Sequence, residues 1–445
     1  MPLSLCSLFF NDFIIMKKVL IITYYWPPAG GPGVQRALKF VKYLPKFGWE
    51  PVVLTVENPD SPVDDISLSN DIPEGTKIYK TKSLEPFELY KKFTGKKSNE
   101  KIPNDVLLNK KSATLKDKFA NWVRLNLFIP DAKIGWKKYA VKRGIEIVKK
   151  EKIDLIFTTS PPQTVALIGK ALSKKTGVKW IADFRDPWME IVYYQKVKRS
   201  FLTLKTDSYF ERGVLKNANG IVTISDDMIR LFKSKSPNQT FHLIPNGFDK
   251  TDFTKTIKEK NNNFTIAYTG SISNDRVPYV LFSALDKLIN EDGVHNIRLD
   301  FAGRYCHEFT EAIKKNNLLH IADLKGFVPH NESTQILNNA DCLLLVVDNV
   351  PNNKGFLTGK LFEYMGTKKP IFAIGPTDGD ANGFIQKSNS GIMVNYNDNT
   401  MAYEELKTMY ENWKNNTENY SYKVEQFSRK NLTKKLAQVF EEVIR

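Results

Sequence analysis

Glu363 is the only acidic residue in the stretch 359–366, GKLFEYMG, where its neighbours Leu361, Phe362, Tyr364 and Met365 are apolar. A carboxylate among apolar residues must meet a hydroxyl, an amide or a cation, or its burial is costly. The plain alternative is a helix whose Glu faces solvent. Asp183, Arg185 and Asp186 form a second group, in 183–188, DFRDPW, at the end of an apolar run. Ligands of open α/β sheets gather beyond the carboxyl ends of the strands. Chemistry is therefore expected at this cluster, unless it is an Arg–Asp pair that holds a loop. Gly30, Gly31 and Gly33 form a third group, in 24–33, YYWPPAGGPG. Their spacing is not the dinucleotide fingerprint, but glycines let a backbone approach a ligand closely, and a following helix N-terminus favours an anion.

Regular elements must hold these groups in place. Residues 17–23 read as a buried parallel strand, 34–47 as a helix and 49–56 as the next strand. This is the β–loop–α–β unit of a doubly wound sheet. Residues 57–150 are the least regular part, rich in Pro, Asp and Ser at first and then in lysine. Regular alternation resumes with a helix over 140–150, strands at 153–158 and 179–184, and a helix at 164–174 between them. In 241–249, FHLIPNGFD, a strand is followed by a tight turn at Asn246-Gly247. The polar, lysine-rich stretch 252–263 is the best linker.

A second α/β series follows. Strands are expected at 264–269, ending in Gly270, at 297–302, ending in Gly303 and Arg304, at 342–347, at 370–374 and at 391–394. The chain closes on an amphipathic helix that carries Phe427, Leu432, Leu436, Val439, Phe440, Val443 and Ile444 at three-to-four spacing. The expected division is 1–16 as an extension, 17–252 as a first Rossmann-like domain with a basic insert at 57–150, 253–263 as linker, 264–422 as a second such domain, and 423–445 as the terminal helix.

Composition narrows the classes. The 445 residues carry a net charge of +16, and it is unevenly placed. Residues 1–250 hold 42 basic and 25 acidic residues, whereas 251–445 are nearly neutral. Within 91–150 there are 17 basic and 5 acidic residues, interleaved with aromatics such as Phe93, Trp122 and Trp136. Such a field attracts an anionic membrane leaflet or nucleic acid. No run of 18 or more apolar residues is present to span a membrane. Residues 1–15 lack the charged start and cleavage site of a secretory signal, and Met16-Lys17-Lys18 reads as a natural start. Cys6, Cys306 and Cys342 lie far apart and suit reduced thiols rather than zinc or disulfides.

In this order the motifs resemble the GT-B glycosyltransferases, and among them glycosyltransferase family 4. The resemblance runs over nearly the whole chain from Lys17. It rests on PPAGGPG, IPNGFD, YTGSIS, KGFVPHNEST and TGKLFEYMGTKKPI. It implies an α/β protein of two doubly wound Rossmann-like domains facing a cleft, with the C-terminal helix returning to the N-terminal lobe. The first lobe would bind the acceptor and the second a UDP- or GDP-linked sugar, which would be transferred with retention of configuration.

Residue by residue, the resemblance makes Glu363 the ligand of the donor's ribose hydroxyls. It places Thr358, Gly359 and Lys360 beside the diphosphate, Gly30 and Gly31 in the loop that closes on the phosphates or sugar, and Phe327 and Val328 near the base. Gly270, Arg276 and Arg304 line the donor side, with Arg276 as a phosphate cation. The family's second glutamate falls at Gly355 here. The usual histidine of the first lobe is replaced by the DFRDPW segment, whose Asp183, Arg185 or Asp186 would take the catalytic role. No cofactor and no metal are implied. Asp378-Gly379-Asp380 is a literal DxD, but it follows a strand of the second lobe, and such short patterns arise readily by chance.

The expected function is therefore a cytoplasmic transferase, peripheral at the inner face of the membrane. It would add a sugar to a lipid-linked or glycan acceptor in polysaccharide or lipopolysaccharide biosynthesis. A nucleotide-sugar epimerase of the same fold is the alternative. A nucleic-acid-binding protein fits less well, because none of the usual motifs is present.

Overall fold

The structure is a computed structural model that describes residues 16–59, 61, 64–84, 122–123, 125–191, 197–253, 262–417 and 420–445. The extension at 1–15, the lysine–aromatic stretch at 85–121 and most of the expected linker lie outside the described residues. Two parallel sheets organise the chain. The first is seven-stranded: β1 (Lys17–Ile22), β2 (Trp49–Val56), β3 (Lys77–Thr81), β4 (Leu155–Ser160), β5 (Trp180–Phe184), β6 (Gly220–Thr223) and β7 (Phe241–Leu243), in the order β3-β2-β1-β4-β5-β6-β7. The second contains β8 (Phe264–Thr269), β9 (Ile297–Ala302), β10 (Ala322–Leu324), β11 (Cys342–Val346), β12 (Ile371–Ile374) and β13 (Gly391–Val394), in the order β10-β9-β8-β11-β12-β13. The residues of β4, β5, β8 and β11 are buried throughout. That explains why they read as mostly apolar runs without alternation: strands covered on both faces need no polar face.

Among the described residues, the longer helices include α1 (Pro32–Tyr43), α2 (Trp136–Glu151), α3 (Thr164–Thr176), α4 (Phe201–Asn217), α5 (Asp226–Lys235), α6 (Tyr279–Asn290), α7 (His307–Lys315), α8 (His330–Asn339), α9 (Gly359–Thr367), α10 (Asp380–Ser388), α11 (Asn399–Asn415) and α12 (Arg429–Ile444). By its contacts the chain divides into two compact units, Met1–Ile221 with Thr433–Arg445, and Val222–Leu432, so the division falls within β6. The end of α12 thus returns to the first unit. Its Phe440 ring packs 5.1 Å from Trp49 and 5.5 Å from Phe157, and Glu441 pairs with Lys17.

Part of the stretch expected to be least regular is regular after all. β3 forms within it and pairs in parallel with β2, from Val52 opposite Lys77 to Val56 opposite Thr81. Its sequence KIYKT hides a strand because lysines guard the exposed edge of the sheet, as edge strands require.

Candidate functional site

Strand order reverses between β8 and β11, and the carboxyl ends of strands at such a reversal leave a crevice for a ligand. Glycines end the neighbouring strands. Gly270 follows β8 with φ +131, Gly303 follows β9 with φ +146, and Gly326 stands two residues past β10 with φ +68. The Gly270 amide donates to Ala302 O at 2.7 Å, and the Gly303 amide to Gly326 O at 2.5 Å. A Cβ on Gly303 would lie 1.8 Å from the Gly270 carbonyl oxygen. Backbone therefore meets backbone here with no side chain between, forming a ledge open to close approach by a ligand.

Lys360 sits at one end of this ledge. Its Nζ donates to the Tyr268 hydroxyl at 2.9 Å, lies 4.2 Å from the centre of that ring, and occupies the space that a side chain on Gly270 would fill. The lysine comes from the first turn of α9. Thr358 caps that helix, its hydroxyl accepting from Lys360 N at 3.1 Å. Capping fixes where the helix starts, and the start carries the positive end of the helix dipole. Leu361, Phe362, Tyr364 and Met365 of α9 are buried, and Glu363 is partly exposed. Glu363 stands three residues from Lys360, on the same side of the helix.

The other expected donor residues are placed as follows. Arg276 crosses the strand reversal and forks onto Asp348, just past β11, with one of its two bonds at 3.0 Å. Burial pulls the Arg276 guanidinium down, but the Asp348 carboxylate outweighs it and holds it above its ordinary range. The loop after β11 is pinned by Tyr396, whose hydroxyl donates to Val347 O at 3.0 Å, and by Asn353, which donates to Asp348 O at 2.7 Å. Burial pushes the Tyr396 hydroxyl up to about 12. Arg304 is exposed, and its carbonyl accepts from Ile272 N at 2.8 Å. Phe327 is 80% exposed beyond Gly326, so its ring is open for stacking, while Val328 packs toward the core.

Gly355 has no room for a side chain. A Cβ there would lie 2.5 Å from Asp227 Oδ2. The Asp227 amide in turn donates to Asp380 Oδ2 at 2.8 Å, and Asp378 pairs with Lys354. Both carboxylates of the DxD therefore have structural partners.

In the first unit, the DFRDPW segment and the glycine-rich loop are joined. Arg36 of α1 donates from Nε to Asp183 Oδ2 at 2.9 Å and from Nη2 to Asp183 Oδ1 at 2.7 Å, and both residues are fully buried. Thr159 adds a third bond to this carboxylate at 2.7 Å. Arg185 donates to Ser160 O and Pro161 O, each at 3.0 Å. Its guanidinium fills the place where Gly33 would carry a side chain, with Nη1 2.7 Å from that position. Together these contacts anchor the start of α1, where Gly30 is half-buried and Gly31 is exposed at φ +100. Asp186 differs from its neighbours. Burial pushes its carboxyl above the ordinary value, and Arg185 offsets this only in part.

Sequence reasoning did not give Arg36, Gly326, Tyr268 or Asp348 a role. For the last two a signal existed, since each stands at the carboxyl end of a strand that flanks the reversal.

Two parallel α/β sheets with a glycine ledge, a lysine and a helix start at one strand reversal define a GT-B fold with a site suited to an anion. Residues 105–252 match the model of Glycosyltransferase Family 4. Solved structures share the fold over nearly their full length. HepE of Anabaena, solved with UDP and glucose, has a TM-score of 0.55 at 12% identity, covering 96% of this chain and 100% of that one. Sucrose-phosphate synthase of Thermosynechococcus elongatus has a TM-score of 0.54 at 13% identity, covering 96% of each chain. WaaG, a glycosyltransferase involved in lipopolysaccharide biosynthesis, has a TM-score of 0.51 at 16% identity, covering 95% of this chain and 99% of that one. No protein of curated function matches the sequence.

Proposed function

We propose that this protein is a retaining glycosyltransferase that moves a sugar from a nucleotide-sugar to a membrane-associated or polysaccharide acceptor in cell-surface glycan assembly. The observation that carries the reading is the meeting of Lys360 and the start of α9 with the glycine ledge of β8–β10. Breaking a sugar–diphosphate bond develops negative charge on the leaving phosphate. A preorganised ammonium and the positive end of a helix dipole aimed at that charge supply the largest single contribution to catalysis. Glu363, on the same side of α9, suits the ribose hydroxyls, and the open ring of Phe327 suits the base. Thr358 and Gly359 support the diphosphate, with Arg276 as a further cation. Of the three DFRDPW candidates, Asp186, with its raised carboxyl, is the one suited to handling a proton. The match of residues 105–252 to Glycosyltransferase Family 4 supports the reaction class, and the basic first half supports an acceptor held at an anionic membrane.

A thermal-shift screen against UDP, GDP, ADP and their sugars tests the donor site, because a specific ligand raises the unfolding temperature by mass action. The reading fails if none of them stabilises the protein. Product analysis without acceptor separates transfer from the alternative: a free epimerised nucleotide-sugar marks an epimerase of the same fold.

A further inference from the structure

Helix α4 is built with its polarity reversed. Its buried stripe carries Thr203, Asp207 and Glu211 along with Val214 and Leu215. Thr203 donates to Asn126 Oδ1 at 3.0 Å, and Asp207 accepts from Trp188 Nε1 and Arg199 Nη2, each at 2.6 Å. These polar residues hold the helix to the first unit. The outward side is apolar and basic instead. Phe201 is 77% exposed, Leu202 74% and Tyr209 71%, and Lys205, Arg212 and Lys216 are exposed with them. At 3.6 residues per turn these six positions fall within an arc of about 100°. The only acidic residues of the helix, Asp207 and Glu211, are on the buried side.

The start of α4 is tied to the buried Asn126. The Asn126 side chain accepts from Ser200 N at 2.7 Å, just before the helix starts. The next residue, Leu127, is exposed. A solvent-facing helix surface normally carries charges of both signs. One that combines exposed Phe, Leu and Tyr with Lys and Arg alone matches the boundary of an anionic bilayer, where rings and aliphatic groups enter the interface and cations meet the headgroups. The charge of the chain agrees, with 42 basic and 25 acidic residues in its first 250.

We propose that the outward face of α4, with Phe201 and Leu202 at its tip, is the surface by which this protein docks on an anionic lipid bilayer. The proposal deepens the reading of a membrane-held acceptor and rests on it for its purpose. Lipid binding and nucleotide binding are nevertheless measured separately, so one can fail without the other.

The test is co-sedimentation of the full chain with phosphatidylcholine vesicles, with and without phosphatidylglycerol. Wild type is expected to bind the anionic vesicles in a salt-sensitive way and to leave neutral vesicles largely unbound. The pair Phe201→Ser and Leu202→Ser should weaken binding roughly tenfold or more, and so should the pair Lys205→Glu and Arg212→Glu. Stabilisation by the nucleotide found in the thermal-shift screen should stay unchanged in both. Wild-type binding by both double variants overturns the proposal. So does a wild-type dimer that the same substitutions dissociate while lipid binding persists, which would make this face a contact between copies. If the serine variant fails to fold, Phe201→Trp decides. Brominated anionic lipid should quench the added fluorescence above the wild-type background, and no added quenching overturns the proposal.

Discussion

Arg36 and Asp183, 147 residues apart in sequence, form a two-bond ion pair at 2.9 and 2.7 Å that solvent does not reach. The pair joins the first helix to the end of β5. It also explains the character of DFRDPW: Asp183 holds α1, Arg185 holds two carbonyls of the neighbouring loop, and Asp186 is left as the group with a raised carboxyl. A buried pair is weak evidence of net stability, but removing one partner strands the other charge. Asp183→Asn or Arg36→Met alone should therefore destabilise the first unit by about 3–5 kcal/mol. The double replacement by Met and Leu should recover a good part of that loss. Urea unfolding of the three variants checks this, and single variants as stable as wild type would refute it.

Lys360 should govern affinity for the anionic part of the donor. Its ammonium is already placed, held 2.9 Å from the Tyr268 hydroxyl. Hydrogen bonds to charged groups contribute about 1.5–3 kcal/mol, so Lys360→Met should weaken nucleoside diphosphate binding roughly 10- to 150-fold. Binding of the nucleoside without phosphates should hardly change. Calorimetry with both ligands gives the comparison; equal losses for the two would mean that the lysine acts on the fold instead.

Gly303→Ala tests the ledge. At φ +146 a side chain is strained, and here it would also strike the Gly270 carbonyl oxygen. Gly75 has φ +78 and meets nothing within 4 Å, so Gly75→Ala isolates the strain alone. Strained backbone of this kind costs about 1–3 kcal/mol. Gly303→Ala should exceed the cost of the Gly75 variant and should also lose the nucleotide-dependent rise in melting temperature. A cost no greater than that of Gly75→Ala, with the thermal shift intact, would show that the strands yield without consequence.

Much of the fold was legible because parallel strands buried on both faces are written as largely apolar runs without polar alternation. β1, β4, β8 and β11 announce themselves in this way. Helix α4 does not, since Phe201, Leu202 and Tyr209 face out while Asp207 and Glu211 share the buried side with Val214 and Leu215, so periodicity gives no clean core stripe to find. β3 hides behind its lysines. At the site, Lys360 and Glu363 were visible as unusual residues beside a helix start. The pairing of Arg276 with Asp348, and of Arg36 with Asp183, was not. Both depend on which loops the sheet order brings together, and spacing along the chain does not encode that.

Asp186 links stability to pH in a direction that can be measured. Its ordinary value is near 3.8, and burial raises it in the folded protein, with Arg185 opposing. Below the unfolded value both states are protonated, and the folded state carries no penalty from this group. As pH rises through the folded value, the carboxyl must ionise in a place that disfavours charge, so stability is lost. Asp186→Asn removes that loss. The variant should match wild type in acid and be the more stable of the two at neutral pH. If Asp186 handles a proton in transfer, the same variant should lose turnover while its nucleotide affinity stays unchanged, the usual exchange between stability and activity at a functional group. Unfolding curves across the pH range decide the first half, and steady-state rates the second. A variant less stable than wild type at neutral pH would refute the raised carboxyl, and full turnover would remove Asp186 from the reaction.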